Sequence, residues 1–535
     1  VVTRDILNRI AINFRANILL AVQRILNDRP QITQTFVPPG ATLQGLQKIE
    51  STGSDFHKGG KQVLILTFYV HLTVQVSNQP IPYWWSSFNL IYKPSDLETD
   101  CLIAGDSAAV NAIHPAFQVK SLFEIFNDEI TIALNNNPNL SLELLPTYKI
   151  LPIAYSSNQP GNPLNIRRAY GYIEFLQHEH YNGPFNFYSW GSSDFKIFPK
   201  QNSAAICQKF YRLIGQITAI AAVFSISDLH AENLIVKNYL PYPIDLEISL
   251  SLPIGDIGDT VLYNATNKAG VNGWRKEDEF AWKEAKNNNN LLVINDTQTP
   301  KFAQNRLATV GNVLIDPSTT PLAKSNCKAF RDMIDIIQTA NTPPHNNDLN
   351  TWIARVNNIV VRNLPMKTGE FRAILTGTVS KDSCADNTAL GRFVDYQRGF
   401  LYQTWQGNVN GNPDFLALQN AYVLGDFNNG DIPIFYHRIP SLDIMDSNGN
   451  DVQSPGAFIY RATPTSPQQN QVYQLPAGRN TFFAAAPFTT NVVNGQLATI
   501  TNPGTKAATV NQFLGEILNQ MGLQNSPADI NNILA

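Results

Sequence analysis

The chain has 535 residues, a mass of 59.4 kDa and a formal net charge of −3. At roughly 100–200 residues per domain it holds two to four lobes with a real interior, which excludes a disulfide-stapled miniprotein. With a pI near 6.3 it has no general electrostatic attraction to nucleic acid or an anionic membrane, and neither is expected as a partner.

From Thr3 to Leu26, Ile6, Leu7, Ile10, Phe14, Ile18, Val22 and Ile25 recur at three- and four-residue spacing and predict a helix that needs a partner surface. The runs VLILTFYVHLTVQV (63–76) and FNLIYK (88–93) are rich in β-branched and aromatic residues and predict two adjacent strands. Helices follow around 107–135, then a strand at YGYIEF (170–175) and a long helix from about Ser203 to Ile226. Its apolar run from Leu213 is broken by Gly215, Gln216, Thr218 and Ser225 and is too short for a bilayer, so it reads as buried.

The polar stretch from Gly255 to Asn312 reads as a long insertion. Further helices are expected near Ala329 to Ala340 and Val510 to Met521, with a loop-dominated tract over 444–505. The expected division is a helical element at 1–45, a β-rich nucleotide-covering lobe at 46–176 and a helical catalytic lobe at 177–345 carrying an activation-like insertion at 255–312. An elimination and peptide-facing region fills 346–535. Cys101, Cys207, Cys327 and Cys384 are too widely spaced for a CxxC zinc site and read as buried thiols of a cytoplasmic protein. The chain starts on Val, so targeting is not legible.

The chemistry concentrates in SDLHAENLIVKNYLPYPIDLEISL (227–250). Asp228 and Asn233 are five apart, and Asp245 follows beyond a short apolar strand and a turn. That is the layout of a phosphotransferase loop, where one Asp orients the attacking hydroxyl while an Asn and a second Asp offer hard oxygens to Mg²⁺. His230 gives the order DxHxxN, closer to lipid kinases than to protein kinases. Turn capping by Asp228 and Asn233 is the competing reading. Upstream, Lys93 ends a predicted strand where a kinase-like fold places its ATP-pairing lysine. The turn GSDFHKGGK (53–61) offers Gly59 and Gly60 for backbone contact with phosphate.

Together SDFHKGG, IYKPSD, YGYIEF, DLHAEN, IDLE and FNNGDIPIFYHR (427–438) resemble the dehydratase domain of class II lanthipeptide synthetases, the LanM-type enzymes. The resemblance implies an α+β, two-lobed, lipid-kinase-like core with additional helical and loop elements. It implies an enzyme using ATP and Mg²⁺ to phosphorylate Ser or Thr of a ribosomal precursor peptide, leader plus core, and then eliminating phosphate to leave dehydroalanine or dehydrobutyrine. Carried over, Asp55, His57 and Lys93 serve phosphotransfer with Asp228 and His230, while Asn233 and Asp245 hold the metal. Elimination in the family uses an RxIxRxT stretch, with which FRAILTGT (371–378) aligns through Arg372 and Thr378. Thr376 replaces the second arginine, which leaves a kinase that stops at phosphorylation as an alternative and Lys381 as a substitute cation. A pseudokinase-like binding protein is the third reading. No cysteine is followed by His, so no cyclase zinc site is expected here, and the chain reads either as a stand-alone dehydratase served by a separate cyclase or as an excised domain.

Overall fold

The apolar stripe of the first helix finds its surface on an antiparallel sheet. The computed structural model describes residues 2–37, 40–54, 56–72, 75–76, 79–80, 84–111, 119–155, 168–176, 203–224, 226, 229, 233–237, 240–250, 309–310, 313–314, 320–356, 359–363, 426, 429–439, 444–450, 502–520 and 526–535. Helices α1 (Val2–Asn27) and α2 (Arg29–Phe36) precede strands β1 (Ala41–Ser51) and β2 (Leu64–Leu72), a small hairpin of β3 (Gln75–Val76) and β4 (Gln79–Pro80), and β5 (Trp84–Lys93). The chain then makes α3 (Glu98–Ala104), α4 (Ser107–Asn111) and α5 (Leu122–Asn136) before returning as β6 (Ile150–Ala154) and β7 (Tyr170–Glu174). The five long strands pair antiparallel in the order β1-β2-β5-β7-β6. The first strand begins at Ala41, inside the stretch expected to be helical.

Strand parity divides the sheet into two faces. Leu64, Leu66, Phe68, Val70, Leu90, Tyr92 and Tyr172 are buried with Ala21, Ile25, Ile32 and Phe36 of α1 and α2. Polar anchors fix the helices there: Arg24 donates to the Tyr92 hydroxyl at 2.8 Å and lies over the Tyr170 ring, and the Tyr172 hydroxyl donates to Asp28 at 2.9 Å. The intervening residues turn the other way. Ile65 pairs with Ile91 and Ile91 with Ile173, so three isoleucines stand side by side on the opposite face.

The second core is helical. It gathers α3 and α5 with α6 (Ser203–Phe224), α7 (Thr320–Ala340), α8 (Asn347–Val356), α9 (Pro503–Gln520) and α10 (Pro527–Leu534). From Leu213 to Phe224 every residue of α6 is buried, as its broken apolar run implied. Gly215 permits the close crossing with α7, because a Cβ there would stand 2.2 Å from the Asn326 carbonyl oxygen. Helix α7 starts at Thr320 rather than near Ala329, and α9 at Pro503 rather than near Val510. Proline suits the first turn of a helix, so it opens α9 where composition alone reads loop.

Two hairpins, β8 (Leu234–Lys237) with β9 (Leu240–Pro243) and β10 (Thr309–Val310) with β11 (Val313–Leu314), follow α6. A three-stranded sheet of β12 (Val360–Asn363), β13 (Phe435–Arg438) and β14 (Ile444–Met445) completes a mixed α+β fold. Cys101 and Cys327 are buried free thiols. Among the described residues no helix is long and apolar enough to cross a membrane. The expected insertion falls outside the described residues except at 309–310.

Candidate functional site

A cleft of about 700 Å³ separates the isoleucine face of the sheet from the β8–β9 hairpin and the strand β12. Ile65, Ile91 and Ile173 form its apolar wall, and Glu174, Phe175 and Leu176, just past β7, form its edge. Parity decides what β5 contributes. Tyr92 faces the helices, so Ile91 and Lys93 face the cleft.

Lys93 Nζ is 2.5 Å from Asp245 Oδ1, 3.3 Å from Glu247 Oε2 and 3.8 Å from Asp100 Oδ2. Burial alone would lower the pKa of this ammonium, but Asp100, Asp245 and Glu247 outweigh it and hold it well above its ordinary value. Asp100, on α3, is fully buried. Its Oδ1 accepts the Leu246 amide at 2.9 Å, and its Oδ2 has no hydrogen-bond donor. Burial pushes its pKa up to about 6, with Lys93 opposing and Asp245 and Glu247 adding to the rise.

The hairpin brings the other charges. Asn233 stands immediately before β8, and its carbonyl accepts the Ile244 amide at 2.9 Å just after β9, so the two ends of the hairpin are tied together. Asp245 takes a left-handed backbone, φ 58°, which the chain adopts here with Leu246 fully buried and Asp245 and Glu247 both lining the cleft. Glu247 also pairs with Arg362 Nη1 at 2.5 Å and accepts from Ser95 at 3.3 Å. Burial would raise its pKa, but Lys93 and Arg362 overcome that and drive it far below the carboxylate range.

The glycine turn forms the rim. Lys58, Gly59 and Gly60 have consecutive φ values of 51°, 82° and 78°, and His57 bridges to Lys61. Such a run of left-handed residues aims successive amides at one point and makes an anion-binding concavity. Its anion is internal. Gly59 N donates to Asp431 Oδ2 and Gly60 N to Asp431 Oδ1, both at 2.6 Å, so the two amides expected to face phosphate hold a carboxylate of the chain itself. The same segment adds two contacts: Ile432 N donates to the Phe56 carbonyl at 2.7 Å, and His57 Nδ1 donates to the Ile432 carbonyl at 2.7 Å. His57 therefore lines the cleft with its Nδ1 carrying the proton. Lys58, 6% exposed, lies over the Tyr436 ring, and burial lowers its pKa to about 8 against the pull of Glu247 and Asp96.

Lys93, Asn233, Asp245 and His57 thus meet at one cleft. Asp55, Asp228, His230, Arg372 and Thr378 lie outside the described residues, as do Thr376 and Lys381. Sequence reasoning missed Asp100, Glu247, Arg362 and Lys58. Glu247 and Lys58 stood inside quoted motifs, and an arginine in the apolar run IVVRN was the available signal for Arg362. Nothing local marked Asp100. The donor set suits magnesium: Asn233 and Asp245 offer amide and carboxylate oxygens beside a wall of further carboxylate charge. No cluster of three or more His, Cys, Asp or Glu ligands occurs among the described residues. Mg²⁺, which takes one or two protein oxygens along with phosphate and water, requires none.

Fold and cleft define a mixed α+β protein with a lysine–carboxylate cluster between a sheet and a helical core. Residues 2–128 and 199–269 match the family described as a domain of unknown function, DUF4135, which is associated with LanM-like lanthipeptide synthetases. The matched residues include the glycine turn, Lys93, Asn233 and Asp245. No curated protein matches the chain.

Proposed function

We propose that the protein is an ATP- and Mg²⁺-dependent peptide dehydratase with a lipid-kinase-like core, which phosphorylates Ser or Thr of a ribosomal precursor peptide and eliminates the phosphate. The observation that carries this reading is the meeting of Lys93 with Asn233 and Asp245 at one cleft, although Lys93 lies far from the other two in the chain. The family match and the ordered motifs support it.

In this reading the isoleucine wall covers a flat purine base, and the edge at 174–176 offers backbone groups to it. Lys93, held charged by its carboxylates, is the fixed cation for the triphosphate. Asn233 and Asp245 would hold Mg²⁺, which neutralises phosphate charge during transfer. Asp228 would orient the substrate hydroxyl, and Asp55, His57 and His230 would assist the transfer, the roles that the family resemblance implies. Elimination requires a cation for the departing phosphate. Arg372 and Thr378 are the expected pair, and Arg362 brings a second guanidinium to the cleft wall.

The test is mass analysis of precursor peptide incubated with enzyme, ATP and Mg²⁺. Each modified residue should lose one water, with phosphopeptide as the intermediate. Asp228→Ala should block phosphate addition, whereas Arg372→Ala should let phosphopeptide accumulate. Stable phosphate addition by the unaltered enzyme would instead identify a kinase, the reading that Thr376 favours. Absence of ATP consumption with any peptide would leave a binding protein.

A further inference from the structure

The wall of the cleft, where the glycine turn meets β12 and β13, holds a group of donors that the protein itself does not satisfy. Lys58 Nζ, Arg362 Nε and Tyr436 Oη are all buried and have no hydrogen-bond partner. They are neighbours. Arg362 on β12 and Tyr436 on β13 are directly opposed in the strand register, and Lys58 Nζ stands 4.7 Å from the centre of the Tyr436 ring. Lys58 and Arg362 both line the cleft.

The other cationic nitrogens near them are committed. Lys93 is shared among Asp100, Asp245 and Glu247, and Arg362 spends Nη1 on Glu247. Lys58 Nζ has the face of a ring and no hydrogen-bond partner, and the carboxylates of Glu247 and Asp96 act on it without bonding to it. A buried cation with no bonded partner is unfavourable, and its left-handed backbone adds strain, so neither feature serves stability. Both are accounted for if the counter-charge arrives with a ligand. Two cationic side chains and one hydroxyl, all donors, match the oxygens of a tetrahedral dianion.

We propose that Lys58 Nζ, Arg362 Nε and Tyr436 Oη form a phosphoryl-binding pocket in the cleft wall. It rests on the reading of the cleft as a phosphotransfer site and joins to Arg362 two residues, Lys58 and Tyr436, that this reading leaves without a role. The phosphoryl group comes either from the nucleotide or from the phosphorylated Ser or Thr of the peptide.

The experiment compares the full chain with Lys58→Met and Lys58→Arg by calorimetric titration of pyrophosphate, ATP, adenosine and a phosphoserine peptide, and by melting temperature without ligand. Lys58→Met should melt higher than the unaltered protein, because an unmatched buried charge is gone. It should also bind pyrophosphate about ten- to a hundredfold more weakly, the loss expected for a hydrogen bond to a charged group. Lys58→Arg should restore most of that affinity, and adenosine should bind all three alike. Weakened ATP binding with unchanged phosphopeptide binding assigns the pocket to the nucleotide, and the converse assigns it to the peptide. Should Lys58→Met not fold, Tyr436→Phe, which keeps the ring beneath Lys58, should show the same selective loss.

Equal affinity of Lys58→Met for pyrophosphate, ATP and phosphopeptide would overturn the pocket while leaving the dehydratase reading intact. A lower melting point together with equal loss of adenosine binding would also overturn it, by showing a purely structural role. Selective pyrophosphate loss in a protein that never dehydrates peptide would overturn the dehydratase reading and leave the pocket standing.

Discussion

Lys93 is the residue on which most of the site's charge balance turns. It is almost completely buried and faces three carboxylates, so its removal leaves negative charge stranded in a poorly solvated wall. Lys93→Met should abolish ATP turnover and destabilise the fold by about 3–5 kcal/mol, the cost of breaking a buried ion pair from one side. Urea unfolding of the variant against the unaltered chain measures the second effect independently of any substrate. Asp426 makes a different case. Burial raises its pKa to about 7, opposed by the Ser447 hydroxyl that donates to it at 2.7 Å and reinforced by Asp431 and Asp446. Its folded value lies above the ordinary 3.8, so its contribution to stability is full below that pH and is lost as pH rises through about 7. Asp426→Asn should therefore flatten the fall in melting temperature between about pH 4 and 7. An unchanged slope would show that some other group titrates there.

Among the elements, the glycine turn and the segment that seats it act as one part. Asp431 accepts two amides at 2.6 Å, and both are charge-assisted bonds to backbone that would otherwise have to hold its left-handed shape alone. Asp431→Asn keeps one acceptor and turns an NH₂ toward a second N–H. A rise of about tenfold in KM for ATP with kcat largely kept is expected, since the change loosens the rim and spares the reacting groups. Steady-state kinetics at varied ATP decides it, and a loss confined to kcat would refute a positioning role. These elements were unequally legible. Helices α1 and α6 and strands β2 and β5 announced themselves because long apolar periodicity survives any tertiary context. Strand β1 did not: its register shifts twice, between Leu43 and Gly45 and between Leu46 and Lys48, and each shift breaks the two-residue alternation. Helix α3 was hidden for the opposite reason. All seven of its residues are buried, Glu98 and Asp100 among them, and an acidic residue reads as surface until its partner, here Arg355 for Glu98, is known.

At the scale of the whole molecule the cleft is assembled from three remote stretches: the sheet, the hairpin after α6, and the strands β12 and β13. Lys93, Asn233 and Asp245 stood out in the sequence through the residue types and spacing of a phosphotransferase loop, and all three line this cleft. Asp100, Arg362 and the seating of the glycine turn did not stand out, because they depend on pairings that no local pattern encodes. Those pairings also set a timetable. The amides of Gly59 and Gly60 await a carboxylate 372 and 371 positions further along the chain. A ribosome emits the sheet long before it emits Asp431, so the turn stays unpinned while the intervening residues are made. A nascent chain halted before Asp431 would carry the lysine, the hairpin and the isoleucine wall yet lack the carboxylate that clasps the turn, and the rim of the cleft would close only once that carboxylate had emerged.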